Sequence, residues 1–193
     1  MTGIGPFDRR ALRFVVTNPL HFLIGFRGKR GHVRAVNDWQ SVLFLCTGNF
    51  YRSRYAEAWF NYEAPRHGLF WRAESRGFRP HIEALPLSHH ASDRLASQSV
   101  PRILTRREPG RVEERDLAEA SLIVALYERE HRPMMEDRFP RWSDRIRYWD
   151  VPDIDEAVPA VALARIESEV EGLIHQLRSG HALGARAGVR VEF

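Results

Sequence analysis

Cys46 and Arg52 are separated by five residues in the run Cys46-Thr47-Gly48-Asn49-Phe50-Tyr51-Arg52-Ser53. A loop of that length can curl round one tetrahedral oxyanion with its amide N–H groups turned inward, as at other strand-to-helix anion sites. Gly48 lets the backbone turn, and Asn49 is a residue type that tolerates a left-handed conformation. Arg52 can fork onto two phosphate oxygens, and the positive end of a following helix favours negative charge in the same place. That field also favours thiolate over thiol, which makes Cys46 a candidate nucleophile. Ser53 is placed to donate a hydrogen bond to the sulfur. A lone cysteine at a strand end is otherwise a small buried hydrophobe, and Cys-x5-Arg alone is a weak pattern. The Gly and Asn inside the loop, the Ser after the arginine and the surrounding pattern favour an anion site.

That surrounding pattern is strand, polar loop, helix. Ser41 to Cys46 is a short apolar run closed by Thr47-Gly48-Asn49, which reads as a buried strand ending in a tight turn. From Arg52 to about Glu63, Tyr55, Ala56, Trp59 and Phe60 recur at helical spacing. Further along, Leu69–Ser75 reads as a strand stopped by Gly77, Ser88–Ala96 as a helix, and Leu122–Leu126 as the strongest buried strand. Glu128–Glu136 reads as a short helix and Ile146–Trp149 as a short strand. Pro159–Leu177, with apolar residues repeating at Val161, Ile166, Val170, Ile174 and Leu177, reads as a long amphipathic helix. Pro159 suits a first turn, where a missing N–H costs nothing. Strands alternating with helices predict an α/β layer fold with a parallel sheet. In such sheets ligands sit at the carboxyl ends of strands beside a topological switch point, and Cys46 ends a strand.

The chain has 193 residues, 44% apolar and 28% charged, which is ordinary for one globular domain with extensions. No window approaches the run of about 18 apolar residues that a membrane span needs, and the apolar runs near the start are too short for a secretory signal. Cys46 is the single cysteine, so an internal disulfide framework and a cysteine-rich metal site are excluded. The expected compartment is the cytoplasm. Only Lys29 among the 29 basic residues is a lysine, which reads as coding bias. Residues 1–40 carry Arg9, Arg10, Arg13, Arg27, Lys29, Arg30 and Arg34 against Asp8 and Asp38, a balance of +5 when the whole chain is +4. The high isoelectric point therefore belongs to this segment. A basic, partly apolar arm can touch an acidic partner; a solvated extension is the plainer reading. The organisation expected is a basic extension over 1–40, a catalytic-type domain over 41–178 and a tail over 179–193.

The segment Val42–Ser53, followed by Ala56-Glu57, resembles the signature of the low-molecular-weight protein tyrosine phosphatase family. Glu74-Ser75-Arg76-Gly77 is similar to that family's second-strand Ser-Ala-Gly turn, Asp116 through Leu126 to its third strand, and Trp149-Asp150-Val151-Pro152-Asp153 to the stretch bearing its catalytic aspartate. The resemblance covers about residues 41–178. It implies a four-stranded parallel sheet with helices on both faces, and a phosphomonoester hydrolase that needs no metal or other cofactor. By that resemblance Cys46 attacks phosphorus to form a cysteinyl-phosphate, and Arg52 with residues 47–53 (Thr47, Gly48, Asn49, Phe50, Tyr51, Arg52 and Ser53) holds the phosphoryl group. An aspartate protonates the leaving oxygen and then activates water. Asn49 and Ser75 brace the loop, and Ser53 stabilises the thiolate.

The family places Asp-Pro at the acid; here Ile154 follows Asp153 and Pro152 precedes it. Asp153 is the expected acid and Asp150 the alternative, with helix capping as the competing role for Asp153 and Asp155. Tyr51 stands where the family often has a second cysteine, and Arg54 where it has a proline. Ile154, Asp155 and Glu156 replace the aromatics that flank the acid in tyrosine-specific members, so Phe50 and Trp149 remain as either pocket or core. The substrate expected is a phosphorylated protein or a small phosphomonoester; nucleic acid is not expected. Two rival readings stand beside it. One is a non-catalytic phosphate-binding or regulatory module. The other is an arsenate reductase, which with one cysteine would need an external thiol. His89-His90 with Asp93 reads as surface, adjacent helical positions pointing to different faces, and Arg106-Arg107 with Arg111 reads as a solvated basic loop.

Overall fold

The computed structural model describes residues 40–80 and 87–180. The basic segment falls outside the described residues except for Gln40, and the tail except for Ser179 and Gly180.

Four strands make one sheet in the order β2-β1-β3-β4, with β1 Gln40–Cys46, β2 Trp71–Gly77, β3 Leu122–Ala125 and β4 Arg147–Tyr148. All three pairings are parallel. Five α-helices connect and cover them: α1 Arg52–Arg66, α2 His89–Ser97, α3 Glu114–Glu119, α4 Glu128–Arg138 and α5 Pro159–Arg178. β1 is buried from Val42 to Cys46 because it is covered on both faces, which is why it reads as a continuous apolar run rather than an alternating one. Val42 and Phe44 face one core, shared with Tyr55, Phe60, Leu95, Leu163, Ile166 and Val170 from α1, α2 and α5. Leu43 and Leu45 face the other, with Leu117, Met135 and Phe139. Each such fully buried side chain contributes about 1.5–3 kcal/mol.

Several boundaries follow from local chemistry. α1 ends where Gly68 takes a φ of +68° and Leu69 N–H returns to the Ala64 carbonyl, a stop that glycine makes without strain. That turn delays β2, so Leu69 and Phe70 precede the strand instead of opening it, and Phe70 is exposed. Ser88 caps α2 by accepting the Ala91 N–H at 3.3 Å. Val158 is the cap residue of α5, with Pro159 at its first position, so neither Asp153 nor Asp155 caps it. The Glu113–Asp116 capping box starts α3, a one-and-a-half-turn helix whose single buried residue, Leu117, gives no periodicity to read. The imidazoles of His89 and His90 lie side by side, ring centroids 3.8 Å apart, where different faces were expected; His89 is exposed at the first position of the helix, where the chain has only begun to turn. Trp149 is buried against Phe44, with ring centroids at 5.5 Å, so it belongs to the core. Among the described residues no helix is long and apolar enough to cross a membrane.

Sequential strands β1 and β2 are neighbours, and the chain then crosses to the other side of β1 for β3. The crevice between β1 and β3, at their carboxyl ends, is the switch point of this sheet. Cys46 is the last residue of β1 there, and α4 begins three residues after β3.

Candidate active site

The β1–α1 connection folds back on its own cysteine. The Asn49 N–H points to Cys46 Sγ at 3.3 Å, and Ser53 Oγ lies 2.9 Å from the same sulfur. Asn49 takes a φ of +47°, a left-handed conformation that asparagine tolerates better than most residues. Arg52 and Ser53 open α1, so the positive end of that helix lies beside the sulfur.

Behind the loop is a buried polar network. Asn49 Nδ2 donates to Ser53 Oγ at 3.0 Å and to Ser75 Oγ at 2.8 Å, while its Oδ1 accepts the Gly110 N–H at 2.8 Å. Ser75 Oγ donates to Glu57 Oε2 at 2.5 Å. Arg107 forks onto Glu57 at 3.1 and 2.8 Å and donates to the Ser75 carbonyl at 2.6 Å. Arg54 approaches Glu57 at 3.4 Å and donates to the carbonyls of Thr105, at 2.9 Å, and Arg107. Gly77 lets β2 come this close: a Cβ there would lie 2.9 Å from Asn49 N, Asn49 Cβ and the Thr47 oxygen. The expectation of a solvated basic loop at Arg106-Arg107 fails for Arg107, because Glu57 draws its guanidinium inward. Glu57, Arg54 and Arg107 were not read as site residues. The available signal was Glu57, a carboxylate placed on the apolar side of α1 between Ala56 and Ala58.

In front of the loop, two carboxylates meet Arg52. Asp153 Oδ2 accepts from Arg52 at 2.6 Å, and Glu130 Oε2 accepts from the other terminal nitrogen at 2.7 Å. That second nitrogen also reaches the Val151 carbonyl at 3.3 Å. Thr47 Oγ1 donates to Glu130 Oε1. Burial alone would lower the Arg52 pKa, but attraction to Cys46, Glu130 and Asp153 outweighs it and raises the group. Burial would raise Glu130, but its hydrogen bond and charge pairing with Arg52 hold it below the usual carboxylate range. Tyr51 is pushed up to about 12 by burial and by the nearby Asp153 charge, and its hydroxyl reaches the Pro159 carbonyl at 3.2 Å.

Of the expected site residues, Cys46, Asn49, Arg52, Ser53, Ser75 and Asp153 converge on this loop; Thr47, Gly48, Phe50 and Tyr51 form its wall. Phe50 is partly buried against the core. Asp150 points away, exposed and 3.2 Å from Arg165, and Asp155 is exposed. Among the described residues no group of three or more His, Cys, Asp or Glu side chains is arranged to hold a metal ion.

Residues 41–182 match the family of low-molecular-weight phosphotyrosine protein phosphatases. The chain belongs to that family. It is therefore a phosphatase of the cysteine-based type, with the family's four-stranded parallel sheet. Among curated proteins none matches the chain. Solved structures do. The low-molecular-weight protein tyrosine phosphatase of T. tengcongensis is 28% identical, over 72% of this chain and 98% of that one, with a TM-score of 0.60. YfkJ of Bacillus subtilis is 22% identical over 75% and 98%, with a TM-score of 0.67. A cysteine-to-serine YwlE arginine phosphatase with a phosphorylated active-site serine is 23% identical over 73% and 97%, with a TM-score of 0.63.

Proposed function

We propose that this phosphatase cleaves phosphomonoesters through a cysteinyl-phosphate, with a phosphorylated protein as the principal substrate class. Cys46 Sγ attacks phosphorus in line, and the P–O bond to the leaving group breaks as the P–S bond forms. Arg52 and the amides of residues 47–53 hold the equatorial oxygens. Asp153 gives its proton to the leaving oxygen, then takes one from the water that attacks phosphorus and releases the cysteine. Ser53 and the Asn49 amide support the sulfur as thiolate. The observation that carries this reading is that one seven-residue loop brings the Asn49 amide and the Ser53 hydroxyl to Cys46 and an arginine to Asp153. Asp153 is favoured over Asp150 because only Asp153 reaches the loop.

The test is hydrolysis of an aryl phosphate by wild type and Cys46→Ser, with acid-quench trapping of the phosphoenzyme. Wild type should give a burst of aryl alcohol and a trapped phosphoryl group. Cys46→Ser should lose at least about four orders of magnitude in turnover. Phosphate binding with no burst would instead favour the non-catalytic module, and arsenate-dependent oxidation of an added thiol the reductase. One observation favours a second substrate class. Two carboxylates at the mouth suit a phosphoryl group carried on a cationic side chain, and a structural neighbour is an arginine phosphatase. Phosphotyrosine and phosphoarginine peptides presented to the same enzyme decide between them. Residues 1–40, with their balance of +5, are proposed as a solvated extension that can also touch an acidic partner.

A further inference from the structure

Glu130 lies outside the nucleophile, the anion loop and the acid, yet it touches the loop at both of its carboxylate oxygens. Oε2 accepts from Arg52 at 2.7 Å and Oε1 accepts from Thr47. It stands in the first turn of α4, where the helix end favours a negative charge. The neighbouring His131 is buried, and its Nδ1 accepts the Tyr127 N–H at 2.9 Å. The ring proton therefore sits on Nε2, which lies 3.5 Å from Glu130 Oε2 and has no hydrogen-bond partner of its own. Burial drives the His131 pKa down to about 3 against the pull of Glu130, so this contact is a neutral ring beside a carboxylate and neither an ion pair nor a hydrogen bond. Donors thus reach Glu130 from the loop after β1 and from α1, and both favour its charged form.

The Arg52 fork is divided between two kinds of partner. One terminal nitrogen carries both Glu130 and the Val151 carbonyl, while the other carries Asp153. A carboxylate–guanidinium pair fixes the plane of the fork as well as its position. The first nitrogen is held by the protein on two sides. The second is the one that an arriving phosphoryl oxygen can take over from Asp153.

We propose that Glu130 is the positioning residue for Arg52, and that its retained charge sets how strongly the site binds dianions. This rests on the phosphatase reading of the same loop. Glu130 orients the guanidinium for the transferring phosphoryl group and at the same time repels a doubly charged ligand. It therefore couples precise placement to weak binding of inorganic phosphate, the product that must leave.

Three variants separate placement from charge, each measured by calorimetric titration with inorganic phosphate and by kcat and KM on an aryl phosphate. Glu130→Gln keeps an acceptor for Arg52 and removes the charge; phosphate should bind about tenfold more tightly, the scale of one unit charge repelling a nearby dianion across solvent, and KM should fall with it. Glu130→Ala removes both and should lower kcat about tenfold or more as the fork loosens. Glu130→Asp keeps the charge on a shorter stem and should lower kcat without tightening phosphate. A Gln variant that binds phosphate no more tightly than wild type, or an Ala variant with wild-type kcat, overturns the proposal. Melting temperatures show whether any variant is misfolded, and the Asp variant, which keeps charge in the same turn, then carries the kcat arm. A wild type that binds phosphate but shows no burst would instead overturn the phosphatase reading, leaving the binding arm interpretable.

Discussion

The two sides of the anion loop are built on opposite principles. Behind it, Asn49 and Ser75 are wholly buried, and every bond they make runs to another part of the same domain. In front of it, the carboxylates of Glu130 and Asp153 keep 26% and 37% of their side-chain surface exposed while gripping Arg52. A buried polar group that loses its partner pays the full desolvation penalty, whereas a half-exposed one can trade its partner for water or ligand. The rear contacts are therefore permanent and define the shape of the loop. In front, the Asp153 contact is exchangeable and is the one a substrate rearranges, while Glu130 and the Val151 carbonyl keep the other nitrogen of Arg52 in place.

Three experiments can break or sharpen that contrast. The largest effect is expected in front. Asp153→Asn should cut turnover of an alkyl phosphate by about 10²–10⁴-fold, the range for loss of general acid–base catalysis, with a much smaller loss on a nitrophenyl ester and little change in melting temperature. Equal losses on both esters would remove Asp153 from the acid role, and Asp150→Asn would be examined in its place. At the rear, Asn49→Ala should lower kcat/KM about a hundredfold and destabilise the fold as well, by about 1–3 kcal/mol for a stranded polar group, because the Gly110 N–H loses its acceptor, Ser75 keeps only Glu57 and Arg107, and alanine must hold a positive φ. A variant that melts like wild type would show the rear network to be dispensable to the fold.

The smallest effect concerns His131, which supports the front side from α4. Its folded pKa of about 3 lies below the ordinary 6.5. In that interval the unfolded chain binds a proton that the folded chain refuses, so stability is complete above pH 6.5 and falls as pH drops toward 3. The slope is up to about 1.4 kcal/mol per pH unit. Denaturant titrations between pH 6.5 and about 5.5, above most carboxylate protonation, should show this slope in wild type and a flatter one in His131→Asn. Parallel slopes would mean that the ring is hydrated in the folded state.

Local chemistry made much of this legible. The strand, loop and first helix followed from an uninterrupted apolar run, a Gly-Asn turn and 3.6-residue periodicity, since β1 is covered on both faces and α1 packs along much of its surface. The convergence of Ser75 and Asp153 on the loop was accessible only through the family likeness, because nothing within either segment encodes where it will lie. Arg107 shows the limit most clearly. In the sequence it is one of several arginines in a Pro- and Gly-containing connection, indistinguishable from Arg106, and only the position of Glu57 on a helix elsewhere draws it inward.

The chain by itself determined the nucleophile, the arginine and the loop that joins them, because those parts lie within eight consecutive residues whose backbone preferences agree. Only the tertiary structure decided which carboxylates face that arginine. Glu130 and Asp153 arrive from the ends of different strands, 78 and 101 residues further along the chain than Arg52. Their meeting depends on the order in which β1, β3 and β4 pair, a choice made by burial over the whole sheet and not by any segment alone.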